Sequence, residues 1–206
     1  MIKAIIFDLN GVFVQSTKLS DRFAADFGVS PDKFLPALKE IMAEVRLPGA
    51  RDCYSYWQPY LQEWGINMNR EAFYNYWFSA EKEIPELIEY AQELKRKGMK
   101  LLVLSNNFAE RTEYYREHFP WLNEIFDGAY FSWETGFVKS EVGAYENILK
   151  ENDLKGDECL YFDDSEENIE LARSLGIEAY LYSGLIEVKR MVGEQVDFSG
   201  GKVKAK

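Results

Sequence analysis

Six residues set the chemistry this sequence can do: Asp8, Asn10, Ser105, Lys139, Asp163 and Asp164. They lie far apart in the chain, yet each stands at or just beyond the end of a short apolar run. Asp8 ends "AIIFD", Ser105 ends "LLVLS", Lys139 follows "AYF", and the acidic pair ends "CLYFDD". If those runs are strands of an open α/β sheet, the residues meet at its carboxyl edge, where such sheets bind ligands. Converging carboxylates repel, so either a pKa rises or a cation joins them. A hard divalent ion answers this, and Mg²⁺ typically binds through one or two carboxylates plus substrate phosphate. Ser105 and Lys139 suit the phosphate itself, one as a hydrogen-bond donor and one as a point charge. Asp8 then attacks phosphorus, giving an aspartyl-phosphate that water hydrolyses.

Each residue has a plainer explanation when taken singly. Asp8 fits a turn with Asn10 and Gly11. Ser105 or Asn106 fits the cap of a helix starting near Ala109. Asp164 with Glu167 fits a capping box. Lys139 alone fits a solvated surface. None of these explanations requires the residues to converge.

The elements that must position them follow from pattern. Residues 2–7, 100–104, 129–131, 160–162 and 179–182 read as strands, and their near-continuous apolar character fits burial on both faces. Helix-like segments alternate with them, several closed by a glycine such as Gly98 or Gly176. The expected fold is α/β: a Rossmann-like, five-stranded parallel sheet with helices on both faces. About ninety residues separate the first two strands, far more than an ordinary crossover needs. Residues 15–85 therefore read as an inserted, all-helical cap. Within it Ser30 is the expected N-cap of a helix with Pro31 at its first position. Trp57, Trp64, Tyr74, Trp77 and Phe78 read chiefly as cap core, though such rings also suit a sugar or another small organic group. The core domain is expected at 1–14 and 86–198, with a flexible tail at 199–206.

Composition narrows the function. A net charge of −11 over 206 residues excludes nucleic acid and anionic membranes as main partners. The single histidine, His118, reads as a helix C-terminal residue, and histidine-based triads and multi-histidine metal sites are nearly excluded. The two cysteines, Cys53 and Cys159, make neither a metal motif nor a disulfide framework. The N-terminus lacks signal-peptide architecture and no apolar run reaches spanning length, so a cytoplasmic protein is expected.

The sequence resembles the haloacid dehalogenase-like hydrolase superfamily, in particular the subfamily with a helical cap after its first motif. Sugar-phosphate phosphatases and the amino-terminal domains of soluble epoxide hydrolases are similar. The first motif, Asp-x-Asp-Gly followed by Thr or Val, reads here Asp8-Leu9-Asn10-Gly11-Val12. Ser105, Lys139 and Asp163-Asp164 match the second, third and fourth. The resemblance implies that Asp8 is nucleophile and Mg²⁺ ligand, with the Asn10 backbone carbonyl a further ligand. Asp164 is implied as a direct ligand, and Asp163 as a ligand through water or a partner of Lys139. It further implies that Asn106 helps hold the phosphoryl group and that the substrate is a small phosphorylated metabolite.

Asn10 departs from the pattern. The family's acid at this place protonates the leaving oxygen, which an amide cannot do. That catalysis is typically worth about 10²–10⁴-fold. A slowed phosphatase, a weakly active phospho-ligand-binding homologue and a haloacid dehalogenase are the competing readings. The acidic pair weighs against the last. Asn10-Gly11 is also a deamidation-prone pair, and conversion to Asp restores the motif unless an ordered loop opposes it.

Overall fold

The computed structural model describes residues 1–196 and 198; the tail expected at 199–206 lies outside the described residues. Five parallel strands form the central sheet: β1 (Ala4–Phe7), β4 (Lys100–Ser105), β5 (Gly128–Phe131), β6 (Cys159–Asp163) and β7 (Glu178–Leu181). Their order is β5-β4-β1-β6-β7, so β1 is central. Its side chains alternate between two cores. Ile5 and Phe7 join the cluster under α5 (Pro85–Arg96), α6 (Ala109–His118), α7 (Trp121–Ile125) and α11 (Leu185–Gln195). Ala4 and Ile6 join the opposite cluster, under α9 (Val142–Glu151) and α10 (Glu166–Ser174). Burial on both faces is why these strands read as continuous apolar runs. A short helix, α8 (Ser132–Thr135), follows β5.

Helices α1 (Leu19–Phe27), α2 (Pro31–Val45), α3 (Cys53–Glu63) and α4 (Arg70–Phe78) fill the long connection after β1. They pack around a separate cluster in which Phe23, Phe34, Trp57 and Phe73 are fully buried. Stacked and edge-to-face rings hold it, with Phe34 and Trp57 centroids 5.0 Å apart. Trp57, Tyr74, Trp77 and Phe78 are buried there and Trp64 packs against them, so these rings serve this core. They lend no support to a sugar site.

The insertion is not wholly helical. Where the chain leaves and re-enters the sheet domain, β2 (Val14–Gln15) and β3 (Lys82–Glu83) pair antiparallel. Two-residue strands leave no periodic trace in a sequence. Ser30 stands at the N-cap of α2 with Pro31 next, as expected, but its side chain makes no cap hydrogen bond.

Candidate active site

Asp8 emerges from the carboxyl end of β1, with its N–H on the Phe162 carbonyl of β6 at 2.9 Å. Its carboxylate is buried. Oδ1 accepts from the Leu9 N–H at 2.7 Å and from Lys139 Nζ at 2.8 Å. Both contacts fall on the same oxygen, so Oδ2 is left for other work. Burial, with repulsion from Asp163 and against the pull of Lys139, lifts Asp8 to about 6.

Lys139 is no surface lysine: it is 4% exposed and bridges Asp8 to Asp163 Oδ2, at 2.7 Å from the latter. Burial alone would lower its ammonium, but the two carboxylates more than reverse that and hold it charged. The Asn106 Oδ1 accepts from the Lys139 backbone N–H at 2.9 Å, and so fixes the loop that carries the lysine.

Asp163 is buried and fully engaged. Its Oδ2 accepts from Lys139 and Tyr161, and its Oδ1 from the Ser165 N–H at 2.8 Å and Asn168 Nδ2 at 3.0 Å. Burial opposes its ionisation, but these donors, Lys139 foremost, hold it below the usual carboxylate range. Asp164 differs. It is exposed, and burial of its inner part together with the Asp163 charge pushes it up. One carboxylate oxygen each from Asp8, Asp163 and Asp164 lie within 4.8 Å of one another. Gly11 makes this possible: its φ is +88°, and a Cβ there would sit 2.2 Å from Asp164 Oδ2.

The capping explanations fail on this geometry. The N-cap of α10 is Ser165, not Asp164, and no side chain caps it. The N-cap of α6 is Phe108, so neither Ser105 nor Asn106 caps that helix. His118 closes α6 with its ring stacked on Tyr114, centroids 4.1 Å apart.

Asn10 is held at both ends. Its Nδ2 donates to Ser105 Oγ at 3.3 Å, leaving the serine proton free for a ligand. Its Oδ1 accepts from the buried Tyr115 hydroxyl at 2.6 Å. The Gly11 N–H, the nitrogen that deamidation needs, is committed to the Val14 carbonyl at 2.8 Å. An ordered loop therefore opposes that reaction.

Behind Asn10 lies a network that sequence reasoning missed. The Tyr115 hydroxyl is also 3.0 Å from Glu81 Oε2. Glu81, with its side chain wholly buried, pairs through Oε1 with Arg111 Nη2 at 2.7 Å. Arg46, at the end of α2, presents a buried Nε with no hydrogen-bond partner. No motif marks these residues; a helix reading "AERTEYYREH" gives no sign that Arg111 and Tyr115 face inward.

Three acids and one lysine leave the edge net negative, with hard oxygen donors grouped around a gap. That donor set fits a divalent cation such as Mg²⁺. A central parallel sheet whose first strand delivers a buried aspartate to such a cluster, followed by a helical insertion, defines a class of hydrolases. The family model for haloacid dehalogenase-like hydrolases matches residues 2–176, and the chain belongs to that family.

It is 31% identical over 107 residues to a sesquiterpene phosphatase of Aspergillus oryzae, covering 50% of this chain and 54% of that protein. It is 26% identical over 116 residues to bifunctional epoxide hydrolase 2 of Rattus norvegicus, covering 53% and 21%. The chain thus spans about half the length, or less, of these curated relatives. A haloacid dehalogenase-family enzyme of Bacteroides thetaiotaomicron shares the fold, with a TM-score of 0.79 at 20% identity over 92% of this chain and 98% of that one. That enzyme has been solved with magnesium and inorganic phosphate. Among the described residues, no helix is long and apolar enough to cross a membrane.

Proposed function

We propose that the chain is a Mg²⁺-dependent phosphatase of a small phosphorylated metabolite, acting through an aspartyl-phosphate on Asp8. The observation that carries this is the Asp8 carboxylate: buried, clamped through Oδ1, and open at Oδ2. The clamp fixes the attack direction, and geometry of this kind is a large part of what catalysis requires. Asp8, Asp164 and the Asn10 backbone carbonyl would hold the ion, with Asp163 one step back as the partner of Lys139. The ion would neutralise charge on the phosphate and nucleophile. Lys139 holds Asp8 in position and keeps one donor direction for the transferring group. The Ser105 hydroxyl, whose proton Asn10 leaves free, and the Asn106 amide would hold the same group. The helices α1–α4 act as a cap that excludes water and selects the substrate. The relatives named as phosphatases, and the magnesium and phosphate complex of the Bacteroides enzyme, support this reading.

The neutral, firmly held Asn10 favours one second reading: a phospho-ligand-binding homologue with little turnover. A phosphate-release assay on a substrate panel, with and without Mg²⁺, separates the two. Metal-dependent release supports the enzyme; binding without release supports the alternative. With an acid restored in Asn10→Asp, turnover of alkyl monophosphates is expected to rise by about 10²-fold.

A further inference from the structure

The Asn10 carboxamide has two ends of nearly the same shape and opposite chemistry. Its Oδ1 only accepts hydrogen bonds, and its Nδ2 only donates them. The end that faces the phosphate site decides whether Asn10 attracts an anion there or repels it. Shape does not make that choice; the neighbours do. On one side the neighbour is Ser105 Oγ, 3.3 Å from Nδ2. A serine hydroxyl both donates and accepts, so Ser105 can meet either end. On the other side Oδ1 lies 2.6 Å from the Tyr115 hydroxyl, and no other side chain or backbone N–H donates to it among the described residues. Tyr115 can therefore fix what Ser105 leaves open.

Tyr115, on α6, is fully buried, so its one hydroxyl hydrogen goes to a protein acceptor rather than to solvent. Two acceptors are in reach: Asn10 Oδ1 and, at 3.0 Å, Glu81 Oε2. Their claims are unequal. Glu81 already receives two donors from Arg111 on Oε1, at 2.7 Å from Nη2 and 3.0 Å from Nε. Asn10 Oδ1 depends on Tyr115 alone, and its contact is the shorter. A hydrogen given to Oδ1 turns Nδ2 toward Ser105. One amide hydrogen then meets Ser105 Oγ, and the second has no partner among the described residues. An unspent N–H beside a phosphate site suits an anionic oxygen. With the hydrogen on Glu81 instead, the amide is free to turn over and set its carbonyl oxygen against the phosphate.

We propose that Tyr115 is a positioning residue of this site: its hydroxyl holds the Asn10 amide with the N–H donors toward the phosphate, while Arg111, by pairing with Glu81, keeps that hydrogen from being drawn away. This role rests on the phosphatase reading above. Tyr115 touches no reacting atom and acts through Asn10. Asn10 then contributes a fixed hydrogen-bond donor at the place where it cannot contribute a proton.

A double-mutant cycle tests this, because a residue that acts through Asn10 loses its effect once the Asn10 amide is removed. Calorimetry with methylphosphonate and Mg²⁺ reads binding without turnover. Tyr115→Phe should weaken that binding about tenfold, the worth of one hydrogen bond to a charged group. In the Asn10→Ala background the same change should weaken it less than about twofold. The kcat/KM for p-nitrophenyl phosphate should follow the same pattern. No loss in Tyr115→Phe overturns the proposal. An equal loss in both backgrounds also overturns it, since the hydroxyl would then support the fold and not Asn10. If methylphosphonate binding shows the pattern but no substrate is hydrolysed, the phosphatase reading fails and the positioning role stands. If the parent hydrolyses substrate but Tyr115→Phe matches it in rate and binding, the positioning role fails and the phosphatase reading stands.

Discussion

The fully buried side chains of α1–α4 include Phe23, Phe34, Trp57 and Phe73, rings packed on rings. At the carboxyl edge of the sheet the buried side chains include Asp8, Lys139 and Asp163. The first set gains stability from area removed from water. The second gives some of it up, with Asp8 lifted to about 6 by burial and a neighbouring negative charge. On the proposed function, stability and chemistry reside in different parts of this chain. Substitutions should therefore separate them.

The largest effect is expected at Asp8, the proposed nucleophile. Asp8→Asn should lower kcat by at least about 10⁴-fold, without lowering the melting temperature, because it removes a strained buried charge. Loss of activity together with unfolding would break the contrast. Lys139→Met comes next. It leaves Asp8 and Asp163 buried without their shared cation, and should cost about 3–5 kcal/mol by denaturant unfolding and about 10²–10³-fold in kcat. Trp57→Ala should cost a similar 3–5 kcal/mol through its cavity, while the kcat of the folded fraction stays within a few-fold. A collapse of kcat there would mean that the aromatic core also sets the chemistry.

The smallest effect is a pH dependence in the metal-free protein. The folded pKa of Asp8 is raised above its ordinary 3.8 to about 6, so the folded state holds that proton more tightly than the unfolded chain. Stability contributed at Asp8 should therefore fall as pH rises from about 4 to about 6, by about 2–3 kcal/mol. Asp8→Asn should flatten that window in denaturant titrations.

The edge was legible because its residues share one signature: a polar group closing an apolar strand, repeated at Asp8, Ser105 and Asp163. Burial on both faces makes such strands stand out, and a doubly wound sheet brings their ends together. The helical insertion was legible from the length of the connection after β1. The β2–β3 pair was not, because two residues carry no period. Glu81, Arg111, Tyr115 and Arg46 were hidden for another reason. They sit on polar segments whose inward face is chosen by packing against distant chain: Tyr115 meets Asn10 across 105 positions. The capping alternative for Asp164 fails because Ser165 takes the N-cap and leaves the acid free to face Gly11.

The most direct test of the central claim is to look for the phosphoryl group on Asp8 itself. The Mg²⁺-loaded enzyme is mixed with a turned-over phosphate substrate, quenched in acid during the steady state, digested, and its peptides weighed. The peptide containing Asp8 should carry one added phosphoryl group, and this adduct should be absent from Asp8→Asn. A phosphoryl group on another residue, or an Asp8→Asn variant that still releases phosphate at the parent rate, would contradict the account.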